Sequence, residues 1–473
     1  MHLTFEIPKN GGYNAGIKIE GGFDMESRPH FFKSVCALAV PVALQSMLQS
    51  SFSIVDQIMI GQLGSISVAG VGLAGKFASI YSVAVSAVGA VAGIMISQYL
   101  GQKNSREVRR SFYMNLLVAM GLAGLFTLLC LLLSRPIMGI YTADAETLSA
   151  GAGYLRYISL GFLPLAGSTL LSALFRCMDQ PRLPLYASIL SALINTGLNY
   201  LFIFGGLGLP PMGILGAALA TVIAQSFNFL FMGLLALENV PLLATPSAER
   251  DRLDLPHWSQ YLPILPPLLV CELIWSLGEN AYAVIYGRMG TAASAAMTLT
   301  NPIQGLLIGA LCGLSQAAGI IVGKALGSGN EPEAYADART LILYGAVGAL
   351  FLSWGVVLIR NLYVDIYQVD ETVKLLTKKI LLSYALIAPF KVLNMILGGG
   401  ILRSGGKTDA VMVIDLIGTW GFGVPLGLLA AFVFRLPIPQ VYFILSLEEC
   451  VRFAISMGVF RSRRWMHRLA ASA

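Results

Sequence analysis

The sequence predicts an all-α membrane protein of twelve transmembrane helices, arranged as two parallel-repeat six-helix lobes around a central cavity. Three observations support this fold class: an apolar composition, apolar segments that recur along the whole chain, and an internal repeat. Of the 473 residues, 56% are hydrophobic and 12% are charged. Soluble proteins carry roughly a quarter charged residues, so this chain lacks the polar surface of a soluble protein of its size.

The apolar segments are each about 20 residues or longer, the length that crosses a bilayer. In lipid every backbone polar group needs a partner within the segment, so these spans are helices. The N-terminal lobe, 34–238, holds predicted spans at 34–61, 72–100, 112–133, 150–173, 183–205 and 213–238. The C-terminal lobe, 261–460, holds spans at 261–287, 297–325, 340–360, 377–402, 409–433 and 438–459.

The segments outside the lobes are polar. They are an N-terminal tail, 1–33, a linker, 239–260, and a basic C-terminal tail, 461–473. Residues Met1 to Arg28 contain no apolar core of a signal peptide, and Met25 is an alternative start of translation.

Lys and Arg predict the orientation of the chain. With cytoplasmic termini, the cytoplasmic loops hold more than twice as many Lys and Arg as the opposite loops, as the positive-inside rule requires. We therefore expect a multi-pass protein of the plasma (inner) membrane with all three polar segments in the cytoplasm. The net charge of +6 is spread over many short loops, which excludes a nucleic-acid footprint.

The two halves of the chain repeat each other. Gly61–Asn104 aligns without a gap with Gly287–Asn330 (287 − 61 = 226), and glycines at the loop edges recur. Six spans is an even number, so both halves enter and leave on the same side and the repeat is parallel. This architecture is typical of transporters in which two bundles rock about a central cavity. The alternative is an old duplication in a membrane scaffold without transport.

Several motifs carry a resemblance to a known family. They are Pro41–Ser46, Gln49–Asp56, Gly61–Gly64, Asn195–Gly205, Gly216–Thr221, Leu402–Thr408, Glu448–Glu449 and Arg464–Trp465. On these stretches the chain resembles the multidrug and toxic compound extrusion (MATE) family, and within it the bacterial DinF-like branch. The resemblance covers nearly all of residues 34–465.

The resemblance implies export of amphipathic, often cationic compounds against an inward Na⁺ or H⁺ gradient. In the DinF-like branch an aspartate of the first helix binds the ion, and Asp56 occupies that place. Its partners would be Asn195, Asn199 and Thr221, and we include Gln49 of the matched stretch in the candidate cation or proton site. The branch usually has a second aspartate where this chain has Asn199, which favours a proton over Na⁺.

The residues themselves lead to the same site. An ionisable group within a span costs about 2.5–3.5 kcal/mol, so Asp56 is a functional candidate. Asn195 and Asn199 are four residues apart and share one helix face. Their oxygens would bind a hard cation, or their NH₂ groups would hold the carboxylate. The alternative is that these amides only tie helices together.

The C-terminal lobe offers a second set of polar candidates. Glu272 and Glu279 are seven residues apart on one face of the seventh span, and Lys391 lies midway along the tenth. In another branch of the family an acidic residue of the seventh helix serves transport, and it would fall near Trp275, between the two glutamates. We hypothesise that Glu279 or Glu272 pairs with Lys391 and that cargo or proton binding competes with that pair. A purely structural pair is the alternative.

Three further acids lie in the last two spans. Asp415 is in the eleventh, and Glu448 and Glu449 are in the twelfth. We place Glu448 and Glu449 close to the cytoplasmic end, where they would meet Arg452 one turn on. No transport role is expected for them.

The predicted function is that of an ion-coupled antiporter, with H⁺ favoured and Na⁺ possible, that exports drugs or metabolites by alternating access. One alternative is a lipid-linked oligosaccharide flippase of the same superfamily, although few bases within the spans would meet its phosphates. A non-transporting membrane receptor or an intramembrane enzyme is a second, but no metal motif or GxSxG nucleophile supports an enzyme. We expect no metal or cofactor beyond the transported ion. The expected partners are a small-molecule cargo and the bilayer, with the chain a monomer.

Overall fold

The computed structural model describes residues 28–63, 65–142, 144–206, 208–240, 261–367 and 370–469, and almost all of them are helical. Most of the predicted N-terminal tail and nearly all of the linker, including residues 241–260, lie outside the described residues. Their predicted roles stay predictions.

The N-terminal lobe consists of six membrane-crossing units. Ser159–Gly161 forms a short 3₁₀ turn that joins α4 (Ala145–Ile158) and α5 (Phe162–Cys177) into one span. The helices are α1 (Arg28–Gly61), α2 (Ser65–Gly101), α3 (Ser105–Tyr141), α4 (Ala145–Ile158), α5 (Phe162–Cys177), α6 (Arg182–Phe204) and α7 (Gly213–Asn239).

The C-terminal lobe begins with four long helices, α8 (Leu265–Arg288), α9 (Thr291–Gly327), α10 (Glu331–Asp365) and α11 (Glu371–Asn394). A π-helical segment, Met395–Leu402, extends α11. The eleventh span joins α12 (Thr408–Asp415), a π-helical segment (Leu416–Gly423), α13 (Val424–Leu428) and a second π-helical segment (Leu429–Val433). The last span joins α14 (Ile438–Ser446) and α15 (Glu448–Arg461).

The helices fit the predicted spans. Eleven of the helical units among the described residues are long and apolar enough to cross a membrane. The twelfth span is divided at Leu447, so α14 and α15 are each too short to count alone. Together they cover Ile438–Arg461, which agrees with the predicted span at 438–459 and with the expected fold of two six-helix lobes.

Two equivalent helix caps account for one of the identities in the internal repeat. The side chain of Asn104 accepts a hydrogen bond from the backbone N–H of Glu107 at 3.2 Å and caps α3. Its repeat counterpart Asn330 accepts from the N–H of Glu333 at 3.3 Å and caps α10. An Asn cap satisfies one of the free N–H groups at a helix start, so both lobes begin their third span in the same way.

The lobes meet at one end of the molecule through a symmetric pair of glycines. A Cβ added to Gly101 of α2 would collide with the carbonyl oxygen of Lys324 in α9, and one added to Gly327 would collide with that of Gln98. The four residues are related by the repeat (98 + 226 = 324; 101 + 226 = 327). Each lobe therefore presents the same small residue to the same backbone position of the other.

The C-terminal strap, residues 465–469, closes this end further. Gln98 is completely buried, and its Nε2 donates to the carbonyl oxygens of Ser404 at 2.6 Å and His467 at 3.2 Å. Its Oε1 accepts from the backbone N–H of Leu469 at 2.7 Å, while Gln102 Nε2 donates to the carbonyl oxygen of Leu469 at 2.8 Å. The end of the chain is thus fastened to the N-terminal lobe.

The facing helices α1 and α9 remain in contact as far as their middles, where Cys312 Sγ lies 3.1 Å from Ser46 Oγ. Beyond that point the polar side chains of Gln49 on α1 and Asn301 on α9 are exposed. Exposed polar groups at membrane depth line water-filled space and do not face lipid. These exposed polar groups indicate a central cavity between the lobes, in the half of the molecule away from the strap.

Candidate functional sites

The first site lies within the N-terminal lobe, around Asp56 of α1. Asn199 Nδ2 donates to Asp56 Oδ1 at 2.7 Å. In the amide orientation that satisfies both of its polar atoms, Asn195 donates to Asp56 Oδ1 at 3.0 Å and Oδ2 at 3.2 Å. The oxygen of the same amide then accepts from Thr221 Oγ1 at 3.3 Å. The carboxylate of α1 is thus held by two amides of α6, and one of these amides is held in turn by a hydroxyl of α7.

Local sequence explains how these helices come together. Asn195 and Asn199 are one helical turn apart on α6, so both amides reach the same carboxylate. Gly216 lets α7 approach the end of α6, since a Cβ there would lie 2.6 Å from the carbonyl oxygen of Phe202. Thr221, five residues further along α7, is brought beside Asn195 by this close contact.

The structure brings four of the five predicted residues together and leaves Gln49 apart. Gln49 is exposed and takes no part in the hydrogen bonds described around Asp56. The glutamine one turn earlier, Gln45, is buried and donates to Ser188 Oγ at 2.8 Å within the same lobe. Gln49 thus lies apart from the described hydrogen bonds of the carboxylate, and its predicted place in the ion site stays a prediction.

Two ion pairs of the C-terminal lobe involve the predicted polar residues. Lys391 Nζ lies 3.8 Å from Glu279 Oε1, and both side chains are partly exposed. Arg403 Nη1 lies 2.9 Å from Glu272 Oε1. Of the two glutamates considered as partners of Lys391, the structure selects Glu279, and Glu272 instead pairs with an arginine at the end of the tenth span.

A third ionic cluster was not expected as a functional feature. Arg452 Nη2 bonds to Asp415 Oδ1, and Arg452 Nη1 lies 3.5 Å from Glu449 Oε2. Asn394 Nδ2 donates to Glu449 Oε2 at 2.8 Å. The predicted contact of Glu449 with Arg452 is present. The prediction that Glu449 lies close to the cytoplasmic end of the span was wrong, because Glu449 is near the middle of Ile438–Arg461 and is buried inside the lobe.

Glu448 does not meet Arg452 in the same way. Its Oε2 accepts a hydrogen bond from Tyr282 Oη of α8 at 2.6 Å, and the residue is 6% exposed. The division of the twelfth span at Leu447 places Glu448 and Glu449 in the first turn of α15. Sequence spacing within that helix carried no information about a partner on α8.

Two cavities of about 260 and 250 Å³ lie among these groups and share Lys391 and Glu449. Tyrosines and amides line the second cavity together with Glu279 and Glu448. The acids that line one or both are Glu272, Glu279, Asp415, Glu448 and Glu449, and the bases are Lys391, Arg403 and Arg452. Carboxylates therefore outnumber bases, and the cavities favour positively charged ligands.

Two repeated helical lobes, a central cavity between them and ionisable groups inside each lobe define a membrane transporter as the class of protein. The family model described as MatE matches residues 41–201 and 267–429. The two matches begin one repeat apart (267 − 41 = 226) and cover most of the chain. The chain belongs to the MatE family, as its motifs implied, and the members of that family are transporters and not enzymes.

Relatives of similar length support the membership of this chain in the MatE family. The chain is 26% identical over 452 residues to the probable multidrug resistance protein NorM of Thermotoga maritima, covering 94% of this chain and 95% of the relative. It is 27% identical over 404 residues to the multidrug resistance protein NorM of Burkholderia vietnamiensis, covering 84% and 86%.

Solved structures share the fold. A mutant of the Vibrio cholerae MATE transporter VcmN superposes with a TM-score of 0.84 at 17% identity, covering 93% of this chain and 99% of the other. A MOP superfamily transporter from Pyrococcus furiosus gives a TM-score of 0.79 at 18% identity, covering 92% and 96%. At these identities the likeness establishes the fold alone.

Proposed function

We propose that this transporter is an ion-coupled antiporter that exports amphipathic, cationic compounds by alternating access, with Asp56 as the group that binds the coupling ion. The observation that carries the proposal is the Asp56 site, where one half-buried carboxylate inside a membrane-spanning lobe has only neutral hydrogen-bond partners among the described residues. A carboxylate removed from water without a base nearby favours binding of a proton or a cation. Loading and unloading it changes the charge of the lobe, which a transport cycle requires.

The donor arrangement favours a proton over Na⁺. Hard cations take several oxygen ligands, and the Asn199 amide turns its NH₂ group toward Asp56. The Asn195 amide does the same in the orientation that satisfies both of its polar atoms, and it presents its oxygen to Asp56 in the other orientation. With both NH₂ groups on the carboxylate, Asp56 supplies the only oxygen ligands in the hydrogen bonds described here, which suits a proton, whereas Na⁺ would use the Asn195 oxygen and require the Asn199 amide to turn around.

The charge of the C-terminal cavities supports a cationic cargo. Five carboxylates against three bases line them, and tyrosine rings add flat apolar surface for an amphipathic compound. The same excess of acid opposes the phosphates of a lipid-linked oligosaccharide. A flippase therefore remains the less favoured function.

The strap end and the opposite end of the molecule indicate its conformational state in the transport cycle. With cytoplasmic termini in the plasma membrane, as the Lys and Arg distribution predicts, the glycine contacts and the strap close the cytoplasmic end. The cavity then opens to the outside, so we assign this conformation to the outward-open state of a monomer. Alternating access requires the glycine contacts and the strap to separate in the opposite state.

The test is transport of a cationic dye, ethidium, into proteoliposomes of the full chain. We expect a pH gradient to drive transport without Na⁺, and Asp56→Asn to abolish this gradient-driven transport, because the amide neither takes up nor releases the coupling proton. The matched control is Glu146→Gln, which removes a carboxylate from the exposed first turn of α4 and should leave the rate unchanged.

The possible results separate the alternatives. Transport driven by a Na⁺ gradient at clamped pH, and lost in Asp56→Asn, would replace the proton by Na⁺ at the same site. Unimpaired proton-driven transport by Asp56→Asn would refute the role of Asp56. Movement of a lipid-linked oligosaccharide, with no transport of ethidium, would favour the flippase.

A further inference from the structure

The charges around the C-terminal cavities do not balance. Each base that lines them has an acidic partner: Lys391 has Glu279, Arg403 has Glu272, and Arg452 has both Asp415 and Glu449. Glu448 remains. In the described part of the chain no ion pair within 4 Å involves Glu448, and its hydrogen-bond donor is the neutral hydroxyl of Tyr282.

Glu448 is 94% buried, being 6% exposed, so solvent does not compensate its charge. The titratable groups that face it come from four elements. Among the described residues they are Glu449 and Arg452 on its own helix α15, Lys391 and Tyr384 on α11, Tyr282, Glu279 and Tyr286 on α8, and Tyr442 on α14. The two bases among them already belong to other carboxylates, so a negative Glu448 would add an uncompensated charge to the lobe.

The internal repeat gives an independent reason to regard this place as a site. Asp56 corresponds to Tyr282 (56 + 226 = 282). Thr221, the hydroxyl next to the Asn195 amide, corresponds to Glu448 at the neighbouring offset of 227. The hydrogen-bonded pair Tyr282–Glu448 therefore occupies the position in the C-terminal lobe that the Asp56 cluster occupies in the N-terminal lobe.

The offset of 227 rests on two anchors that bracket the fifth span of each lobe. Arg176 matches Arg403, and Leu209–Pro210 matches Leu436–Pro437 (403 − 176 = 227; 437 − 210 = 227). The intervening segments have equal lengths, so no gap is needed between the anchors, and the offset continues into the sixth span.

A glycine makes room for the exchanged pair. Gly423 corresponds to Thr196, the residue after Asn195 (196 + 227 = 423). A Cβ on Gly423 would collide with the hydroxyl of Tyr282 and the carboxylate of Glu448. The eleventh span therefore has a glycine beside the position at which the matching span of the N-terminal lobe has an amide. The carboxylate lies on the first span in the N-terminal lobe and on the last span in the C-terminal lobe.

We propose that Glu448 is a second proton-binding site, located in the C-terminal lobe, which takes up and releases one proton beside the 250 Å³ cavity. The proton binds to the carboxylate of Glu448 and leaves it neutral. Tyr282 is its positioning residue, because its hydroxyl stabilises the charged form by donating to it. This goes beyond the proposed function, since proton binding at Glu448 is measurable without transport.

The test is pH-difference infrared spectroscopy of the purified full chain in detergent, which records the carbonyl band of a carboxylic acid as a carboxylate is protonated. We expect Glu448→Gln to remove one such band and leave the band assigned to Asp56. Tyr282→Phe, which keeps the ring but removes the donor, should make Glu448 bind its proton about tenfold more tightly. The matched control is Tyr286→Phe, one turn further along the same helix and in the same cavity, which should leave proton binding to Glu448 unchanged.

Two results would overturn the inference: a spectrum in which Glu448→Gln removes no band, or a titration that Tyr282→Phe does not move. If Glu448→Gln fails to fold, Tyr282→Phe and its control still decide the question. Loss of the Asp56 role in transport, with the Glu448 band intact, would refute the proposed function and leave this inference standing.

Discussion

The two lobes share a backbone repeat but differ in the electrostatics of their interiors. The N-terminal site has one carboxylate, Asp56, held by two amides, one of which bonds to the hydroxyl of Thr221. In the C-terminal lobe five carboxylates and three bases share two cavities. A change of charge at Asp56 disturbs none of the ion pairs among the described residues, whereas a change in the C-terminal network alters the balance of several. The first arrangement is suited to a coupling ion and the second to a charged cargo.

Among the variants that test this comparison, we expect the largest loss of stability at Arg452, the base that contacts two buried acids. Arg452→Met would leave Asp415 and Glu449 buried without it. Removing one partner of a buried pair costs about 3–5 kcal/mol, so we expect a large fall in the thermal unfolding temperature in detergent. The double variant Arg452→Met with Asp415→Asn should recover part of this loss. A single variant as stable as the wild type would show that the network contributes little.

At the end closed by the glycine contacts and the strap, equivalent substitutions in the two lobes should have equal effects. Gly101→Ala and Gly327→Ala each place a Cβ against a backbone carbonyl of the opposite lobe, and overpacking of this kind costs about 1–3 kcal/mol. We expect both variants to separate the strap end by the same amount, measured as the distance between spin labels on α2 and α9. Gly121→Ala on α3, which has open space around it, is the control. Unequal effects would contradict the symmetric contact.

The smallest effect on stability is expected at the partly exposed pair of Lys391 and Glu279, which should contribute less than about 1 kcal/mol. Lys391→Met frees the carboxylate of Glu279 for a cation, so ethidium should bind more tightly, as measured by fluorescence. Glu279→Gln should weaken binding. If the double variant Lys391→Ala with Glu279→Gln exported ethidium as well as the wild type, competition between cargo and this pair would be disproved.

Much of the fold follows from local sequence properties. Hydropathy alone locates the spans, because lipid forces every long apolar segment to satisfy its backbone as a helix. The repeat predicted two matched lobes, and its shared Asn104 and Asn330 are equivalent helix caps. The cluster around Asp56 was predictable in part, since Asn195 and Asn199 share a helix face by their spacing.

Only the tertiary structure decided the partners of the buried charges. Glu272 and Glu279 share one face of α8, and their different positions along the helix bring them to different bases, Arg403 and Lys391. The packing of α8 against α15 places Tyr282 on Glu448, and packing of the C-terminal strap buries Gln98. Periodicity records which residues share a face of one helix, but not which face of a distant helix lies opposite. That is set by the packing of all the spans together.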